Sequence, residues 1–192
     1  LPAINIHLHK AIPMGAGLGG GSADAAFMLK MLNKEFSLEL SAQELEKRAS
    51  KLGADCAFFI ENKQILGKGI GNIFEPTTIN LAGYHIVLIK PEVHVSTAEA
   101  YGSCKPQRWD VPLEEAVKHP ITEWKNCVFN DFEKTVFIAH PELAKIKEML
   151  YNKGAIYAAM SGSGSTIYGI FDKETSYITT SIQSQIYHLK LK

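Results

Sequence analysis

The amino-acid sequence has no excess of charge of either sign. Among its 192 residues, 20 lysines and arginines balance 20 aspartates and glutamates, and the isoelectric point is near 7.2. A protein that holds a nucleic-acid backbone does so largely through clustered basic residues, which displace counterions from the phosphates. The charge balance therefore argues against a nucleic-acid partner.

Cysteines and long apolar runs are also scarce. The three cysteines are odd in number and share no metal-ligand spacing, which indicates reduced thiols in a cytoplasmic protein. The seven histidines show no metal-ligand spacing either. No apolar run reaches the length needed to span a bilayer, and the first residues lack a signal-peptide pattern. We expect a cytoplasmic protein without a membrane partner.

The rest of the composition is ordinary for a globular chain, since 46% of the residues are hydrophobic and 21% are charged. Helix and strand patterns alternate along the chain with hairpins among them, which predicts an α+β fold. The first residue is Leu1 rather than methionine, and it stands inside a pattern typical of a strand. We therefore expect the chain to have lost an N-terminal part.

Several elements are predicted before residue 54. Residues Ala3–His9 alternate between apolar and polar side chains, which predicts a half-buried strand. An apolar helical stripe begins at Ser22 and ends near Asn33. Ser41 and Glu44 have the spacing of a capping box, which predicts the start of a second helix.

A change of pattern near Leu81 predicts a domain boundary, which gives an N-terminal domain of residues 1–80 and a C-terminal domain of residues 81–192. Before the boundary, we expect a short buried strand at Ala57–Ile60 and a glycine-interrupted hairpin at Gln64–Phe74. After it, we expect the strands Tyr84–Lys90, Ala155–Ala159 and Thr166–Phe171, the helices Asn130–Ala139 and Pro141–Asn152, and a turn at Ser161–Ser165.

Five glycines in ten residues mark the segment Ile12–Gly21. A phosphate group is bound by several backbone N–H groups that converge on one point, and glycine permits this because it lacks a side chain and adopts positive φ readily. The helix that follows adds its first, unpaired N–H groups and the positive end of its dipole. We therefore predict a phosphate-binding loop of eleven consecutive residues: Pro13, Met14, Gly15, Ala16, Gly17, Leu18, Gly19, Gly20, Gly21, Ser22 and Ala23.

Other interpretations of this loop are weaker. A flexible linker or a tight turn rarely leads straight from a strand into an alanine-rich helix. A Walker A loop ends in Gly-Lys-Ser/Thr, whereas Gly20, Gly21 and Ser22 include no lysine. A dinucleotide fingerprint matches Gly15, Gly17 and Gly20 loosely, but no acidic residue follows a strand at the expected distance.

Ser22 stands at the junction of the loop and the helix. Its hydroxyl is able to cap the helix. It is also able to reach a phosphate oxygen or a Mg²⁺ bound to the phosphates, but it cannot do both fully at once. Ser22 is our one candidate for contact with a metal ion.

The loop spells P-x-G-A-G-L-G-G-G-S-x-D-A-A over residues 13–26, and it resembles the second motif of the GHMP kinases, a family of small-molecule kinases. The resemblance implies ATP and Mg²⁺ as cofactors. It also implies a ribosomal-S5-domain-2-like N-terminal part, here incomplete, and a ferredoxin-like C-terminal domain. The triple glycine is closest to the branch of the family that phosphorylates the 2-hydroxyl of a cytidine diphosphate-linked methylerythritol in non-mevalonate isoprenoid synthesis.

Asp55 is the candidate catalytic residue. The segment Leu52–Asp55, followed by Phe58 and Phe59, resembles the family segment whose aspartate is the acid–base. From the residues alone, Asp55 follows a helix stop and precedes an apolar run, so we expect it to be partly shielded from water and able to accept a hydroxyl proton. The alternative is a turn or capping residue. The family usually has Val-Pro after this aspartate, where this chain has Cys56 and an alanine.

Candidate substrate contacts lie in the C-terminal half. By resemblance, Thr97 contacts the substrate and Tyr101 supplies an aromatic face for the cytosine ring, although a half-buried aromatic on a helix or turn would also explain Tyr101. Gly162 and Gly164 belong to a serine–glycine loop that resembles the third family motif and that we expect to pack against the phosphate loop. A plain hairpin turn is the alternative. The sequence around Asn130 also resembles a C-terminal motif.

The expected activity is ATP-dependent phosphorylation of the cytidine-linked substrate. Alternatives are another GHMP kinase of the mevalonate, homoserine or sugar type, or an inactive nucleotide-binding fragment. The first family motif, with its lysine and its cytosine-reading residues, is not assigned in this chain, and Lys10 is not that lysine because it directly precedes the loop. We expect this chain by itself to be inactive or nearly so, and to be a monomer or a homodimer.

Overall fold

The computed structural model describes residues 2–175 and 178–191. The contacts within the chain divide it into two compact units, residues 2–14 with 19–78 and residues 15–18 with 79–191. The change of unit after residue 78 lies close to Leu81, but residues 15–18 of the glycine-rich loop belong with the second unit. The outer limits expected for the two domains, Leu1 and Lys192, lie outside the described residues.

The first unit contains three helices and one antiparallel hairpin. The helices are α1 (Gly20–Glu35), α2 (Ala42–Ala49) and α3 (Phe58–Glu61), and the strands are β1 (Ile65–Lys68) and β2 (Ile73–Pro76). Ile65 pairs with Pro76 and Lys68 with Ile73, which confirms the hairpin. The three helices bury a small apolar core: Ala26, Leu45, Ala49, Cys56, Ala57 and Ile60.

Two helices of this unit begin at or near the residues that the sequence predicts. The apolar stripe after Ser22 lies on α1, although the helix starts two residues earlier, at Gly20. At α2, the Ser41 side chain accepts a hydrogen bond from the Glu44 backbone N–H, and the Glu44 carboxylate accepts one from the Ser41 N–H. The predicted capping box is therefore confirmed.

Two strand predictions in this unit are wrong. Ala57 lies in a turn and the next three residues belong to helix α3, where the N–H groups of Phe59 and Ile60 donate to the carbonyl oxygens of Cys56 and Ala57. The same apolar side chains are buried, but against α1 and α2 rather than in a sheet. Residues 3–9 form no strand, and their side chains are exposed.

The second unit is built on a four-stranded antiparallel sheet. Its strands are β3 (His85–Pro91), β4 (Tyr157–Met160), β5 (Ile167–Phe171) and β6 (Ser184–Lys190). Their order across the sheet is β4-β5-β3-β6. If β3, β4, β5 and β6 are counted as strands 1, 2, 3 and 4 of this sheet, the order is 2-3-1-4. This is the order of the ferredoxin-like arrangement, as the family resemblance implies. Sequence reasoning predicted the first three strands but not β6.

Helices cover both faces of this sheet. They are α4 (Thr97–Ser103), α5 (Leu113–Ala116), a 3-10 helix (Ile121–Asn126), α6 (Glu133–Ala139) and α7 (Pro141–Asn152). Successive residues of β4 point to opposite faces of the sheet. Ala158 packs with α6 and α7 on one face, and Tyr157 packs with Trp124 of the 3-10 helix on the other. The predicted helices at α6 and α7 are confirmed, and Pro141 is the first residue of α7.

In the described part of the chain, no helix is long and apolar enough to cross a membrane.

Candidate active site

The glycine-rich loop adopts the backbone conformation that phosphate binding requires. Gly15, Gly17 and Gly19 have φ values of 63°, 72° and 64°, in the left-handed region that side chains disfavour. Left-handed residues at alternate positions turn successive N–H groups toward one side of the backbone, and such a concave backbone binds anions. The loop then passes directly into α1.

The first turn of α1 is free of side chains that would compete with an anion. Gly19 is the N-cap residue, no side chain caps the helix, and the first turn carries no acidic residue. Ser22 is half-buried, and no hydrogen bond of its hydroxyl occurs among the described residues. The ambiguity about Ser22 is thus resolved against capping, and its hydroxyl is available to a phosphate oxygen or to Mg²⁺ held by the phosphates.

The glycines of the loop differ in what requires them. A Cβ on Gly17 would lie 2.2 Å from the Ser161 carbonyl oxygen, and a Cβ on Gly19 would lie 2.8 Å from the Phe59 ring. Both glycines are therefore required by the packing of the protein. A Cβ on Gly21 would meet nothing within 4 Å, so no protein contact requires a glycine there.

The serine–glycine loop contacts the phosphate-loop residues that belong to its own unit. The Ser161 hydroxyl donates a 2.7 Å hydrogen bond to the Gly17 carbonyl oxygen. The Thr166 N–H donates to the Ala16 carbonyl oxygen at 3.2 Å. The expected packing of the serine–glycine loop against the phosphate loop is therefore confirmed, and Gly162 and Gly164 both have positive φ within it.

Side chains of the second unit hold the serine–glycine loop in place. The Asn130 amide donates hydrogen bonds of 2.8 Å to the carbonyl oxygens of Met160 and Gly162. The Glu133 carboxylate accepts a bond of 2.7 Å from the Met160 N–H. The sequence around Asn130 resembles a C-terminal motif of the family, and these contacts give it a physical role.

The far side of the same loop is anchored on the segment after β3. The Ser165 hydroxyl donates to the Val93 carbonyl oxygen at 2.5 Å. That oxygen also accepts a bond from the Lys90 ammonium at 3.2 Å, and burial lowers the pKa of Lys90. The loop is thus fixed at both ends, which keeps its backbone rigid where it meets Ala16 and Gly17.

Asp55 lies in the turn that precedes α3 and is exposed. The expectation that it is partly shielded from water is wrong for this structure, because the run that follows it turns into a helix rather than entering a sheet. One Asp55 carboxylate oxygen lies 3.3 Å from the position of a Cβ on Gly71, at the tip of the β1–β2 hairpin. Gly71, which the sequence analysis missed, leaves room for this carboxylate.

The two candidate substrate residues both lie on α4. Ser96 caps this helix by accepting the Glu99 N–H at 3.0 Å, which places Thr97 in its first turn, where it is exposed. The Tyr101 side chain is 67% exposed, and its ring meets the Phe132 ring edge-on with centroids 4.8 Å apart. Tyr101 is therefore an open aromatic face rather than the half-buried residue of the alternative interpretation.

Among the described residues, no group of three or more histidine, cysteine, aspartate or glutamate side chains is placed to hold a metal ion. A dedicated protein cage for a cation is not found in this part of the chain. The donor set of the loop, one free hydroxyl and open backbone N–H groups, fits a Mg²⁺ that is carried mainly by phosphate oxygens.

Comparison with known proteins agrees with this geometry. The model of the GHMP kinase N-terminal domain matches residues 2–63, and that of the GHMP kinase C-terminal domain matches residues 113–177. A protein of Bacteroides thetaiotaomicron named 4-diphosphocytidyl-2-C-methyl-D-erythritol kinase is 51% identical over 187 residues, which cover 97% of this chain and 68% of that protein. The chain belongs to the GHMP kinase family.

Other relatives and structures of GHMP kinases resemble this chain as well. A protein of the same name from Bacteroides fragilis is 58% identical over 174 residues, 91% of this chain. This chain spans only 64% of the length of that relative. A crystal structure of 4-(cytidine 5'-diphospho)-2C-methyl-D-erythritol kinase matches with a TM-score of 0.70 and 31% identity, over 84% of this chain and 59% of that one.

A solved structure with lower sequence identity has a similar fold. A homoserine kinase structure from Cytophaga hutchinsonii matches over 95% of this chain and 68% of that one, with a TM-score of 0.64 but only 16% identity. Such a likeness shows the fold alone. The α+β fold with the two domains of a GHMP kinase is thus confirmed.

Proposed function

We propose that this GHMP kinase chain acts in the ATP-dependent phosphorylation of 4-diphosphocytidyl-2-C-methyl-D-erythritol at its 2-hydroxyl. The observation that carries the proposal is the phosphate loop: three left-handed glycines lead into the uncapped and acid-free first turn of α1. Relatives that bear the name of this kinase are 51% to 58% identical to the chain, which supports the choice of substrate within the family.

The phosphate loop and α1 bind the nucleotide phosphates. The eleven residues from Pro13 to Ala23 present backbone N–H groups and the positive end of the helix dipole to the phosphate oxygens, and Ser22 adds a hydroxyl donor. Bound Mg²⁺ would offset part of the negative charge that gathers on the transferred phosphoryl group. Ser22 and the loop N–H groups would hold it through the phosphates.

Asp55 orients the substrate hydroxyl and accepts its proton as the oxygen attacks the γ-phosphorus of ATP, whose bond to the β,γ-bridging oxygen breaks to release ADP. An ionised carboxylate suits this role because it has only hydrogen-bond acceptors and no donor. The absence of a side chain at Gly71 leaves room for the Asp55 carboxylate. Phosphoryl transfer needs little covalent help from the protein, so positioning and electrostatic stabilisation supply most of the rate.

Residues of α4 and the serine–glycine loop complete the contacts with the substrate. The exposed ring of Tyr101 offers a face on which a pyrimidine ring stacks, and Thr97 contributes a hydroxyl from the same helix. Gly162 and Gly164 shape the serine–glycine loop through their positive φ values, and by the resemblance to the third family motif we propose that the backbone of this loop contacts the substrate. These contacts favour the cytidine-linked substrate over mevalonate, homoserine or a sugar, none of which carries a base.

We also infer a cytoplasmic location. All three cysteines are free: Cys56, Cys104 and Cys127. Unpaired thiols are usual in a reducing compartment. The oligomeric state, monomer or homodimer, stays a prediction.

The role of Asp55 is tested by Asp55→Asn in a chimera in which the N-terminal segment of the Bacteroides fragilis relative precedes this chain. We expect kcat to fall by about 10²- to 10⁴-fold, as for the loss of a general base, while the KM for ATP and the melting temperature stay close to those of the parent. The matched control is Asp172→Asn, which changes another exposed aspartate and should leave kcat unchanged. A kcat that survives Asp55→Asn would remove Asp55 from the reaction.

A further inference from the structure

An ion pair of the first unit joins the segment before the phosphate loop to α1. The Lys10 ammonium donates a hydrogen bond to the Asp24 carboxylate. Both groups are only partly exposed, 25% for the Lys10 side chain and 36% for that of Asp24. Asp24 thus holds a flexible lysine side chain in one place, against the helix.

That place is the first turn of α1. The Lys10 ammonium nitrogen lies 3.7 Å from the position of a Cβ on Gly20, the first residue of the helix. A cation there faces the positive end of the helix dipole, which is unfavourable without a nearby anion. The first turn supplies no acidic residue, and Asp24 balances only the charge of the lysine.

Lysine suits an anion that is shared with backbone donors. Its ammonium is a compact point charge with three donors, so one can remain on Asp24 while the others reach outward. A phosphate group bound at the α1 N-terminus would bring negative charge to a helix end that has no acidic residue in its first turn, within reach of the Lys10 donors that are not used by Asp24. Hydrogen bonds between an ammonium and a phosphate are short and strong because both groups are ionised.

We propose that Lys10 is a further phosphate-binding residue of this site, and that Asp24 is the positioning residue that aims it. This inference rests on the proposed function, since it takes the loop to be the ATP site. It adds a cationic side chain from outside the eleven-residue loop. The competing explanation is that the ion pair only ties the segment before the loop to α1.

The test compares binding of a non-hydrolysable ATP analogue and of adenosine to the chimera, by titration calorimetry. Lys10→Met should weaken binding of the ATP analogue about tenfold, the loss of one charge-assisted hydrogen bond, and leave adenosine binding unchanged. Lys10→Arg, which keeps the charge, should retain most of the affinity. Lys34→Met is the matched control, because Lys34 lies in the last turn of the same helix and should change neither affinity.

A second variant covers the case in which Lys10→Met folds poorly because Asp24 loses its partner. Lys10→Met with Asp24→Asn keeps the net charge of the pair, and it should also bind the ATP analogue more weakly than the parent does. Equal losses for the ATP analogue and adenosine, or no loss in either variant, would overturn the role of Lys10. An unsubstituted chimera that neither binds the ATP analogue nor turns over would instead contradict the proposed function itself.

Discussion

At the scale of single residues, Gly21 separates the needs of the fold from those of a ligand. No neighbouring atom lies within 4 Å of a Cβ placed there, and the residue is in the second position of α1. A glycine inside a helix costs about 0.5–1 kcal/mol relative to alanine. The fold would therefore gain from alanine, and the phosphate binding that we propose at this turn would account for the glycine.

We predict two opposite effects of Gly21→Ala. The substitution should raise the melting temperature by about 2–4 °C, because it removes backbone freedom from the unfolded chain. It should also weaken binding of the ATP analogue, because the new methyl group occupies the space of the phosphate. Thermal unfolding and titration calorimetry on the same samples measure the two effects. An unchanged affinity would argue against phosphate binding at this turn.

Single-residue reasoning from the sequence succeeded where the cause was local. Glycines that need positive φ, the Ser41 cap and the position of Asp55 beside a helix end all follow from short-range chemistry. The exposure of Asp55 did not, because it depends on how the apolar run after it folds. Asp55 and Gly71 at the hairpin tip are neighbours although they are 16 positions apart, and no local pattern encodes this.

At the scale of elements, the contact between the serine–glycine loop and the phosphate loop is the feature most open to test. Ser161→Ala removes the 2.7 Å hydrogen bond to Gly17 and should lower the free energy of unfolding by about 1 kcal/mol. The KM for ATP should rise because Gly17 is held less firmly. Calorimetry or denaturant unfolding gives the first effect and steady-state kinetics of the chimera gives the second.

Ser163→Ala is the control for that substitution. Ser163 lies two residues along the same loop, and no hydrogen bond of its hydroxyl occurs in the described part of the chain. It should change neither stability nor the KM for ATP. Equal effects of the two substitutions would show that the Ser161 hydrogen bond does not hold the phosphate loop in position.

Helix α2 gives a pH-dependent prediction. Hydrogen bonds from the backbone and the hydroxyl of Ser41 lower the pKa of Glu44 from its ordinary value of 4.5. A carboxyl whose pKa is lower in the folded state stabilises the protein above the unfolded-state pKa, and this contribution is lost as the pH falls through the folded-state pKa. The free energy of unfolding should therefore decline as the pH drops below about 4.5.

Glu44→Gln isolates this contribution, because the amide still accepts a hydrogen bond but does not titrate in this range. Its unfolding free energy should depend less on pH over the acid range than that of the parent. Glu46→Gln, on the same helix but outside the capping box, should keep the parental dependence. Denaturant unfolding at several pH values measures the slopes, and identical slopes for all three proteins would contradict the assignment.

Helices and strands with a clear hydrophobic periodicity were predicted well. Short apolar runs, and a segment that has no strand to pair with, were not. Helices α1 and α7 carry long apolar stripes, and β3 and β5 are buried strands with clear limits. The run Ala57–Ile60 is too short for periodicity to separate a strand from a helix. Residues 3–9 have the alternation of a strand, but a strand also needs a pairing partner, and the described residues provide none.

At the scale of the whole molecule, the structure shows which distant segments of the chain contact one another, and local sequence patterns do not give this. The Ser161 hydroxyl and Gly17 are 144 positions apart, and this bond helps to assign residues 15–18 to the second unit. The family motif predicted that the two loops are partners, whereas composition and periodicity could not. No sequence pattern predicted the Lys10–Asp24 pair, whose two members lie on opposite sides of the loop.

We propose that this chain is part of a kinase that phosphorylates a cytidine-linked alcohol. The most direct measurement is the kcat/KM of the chimera with ATP and each of three alcohols: 4-diphosphocytidyl-2-C-methyl-D-erythritol, mevalonate and homoserine, with phosphorus NMR to locate the new phosphate. We predict phosphorylation at the 2-hydroxyl of the first, with kcat/KM higher than for the others by about a thousandfold or more, and little activity from the 192-residue chain alone. Preferential turnover of mevalonate or homoserine would contradict the account, although it would leave the fold and the phosphate loop in place.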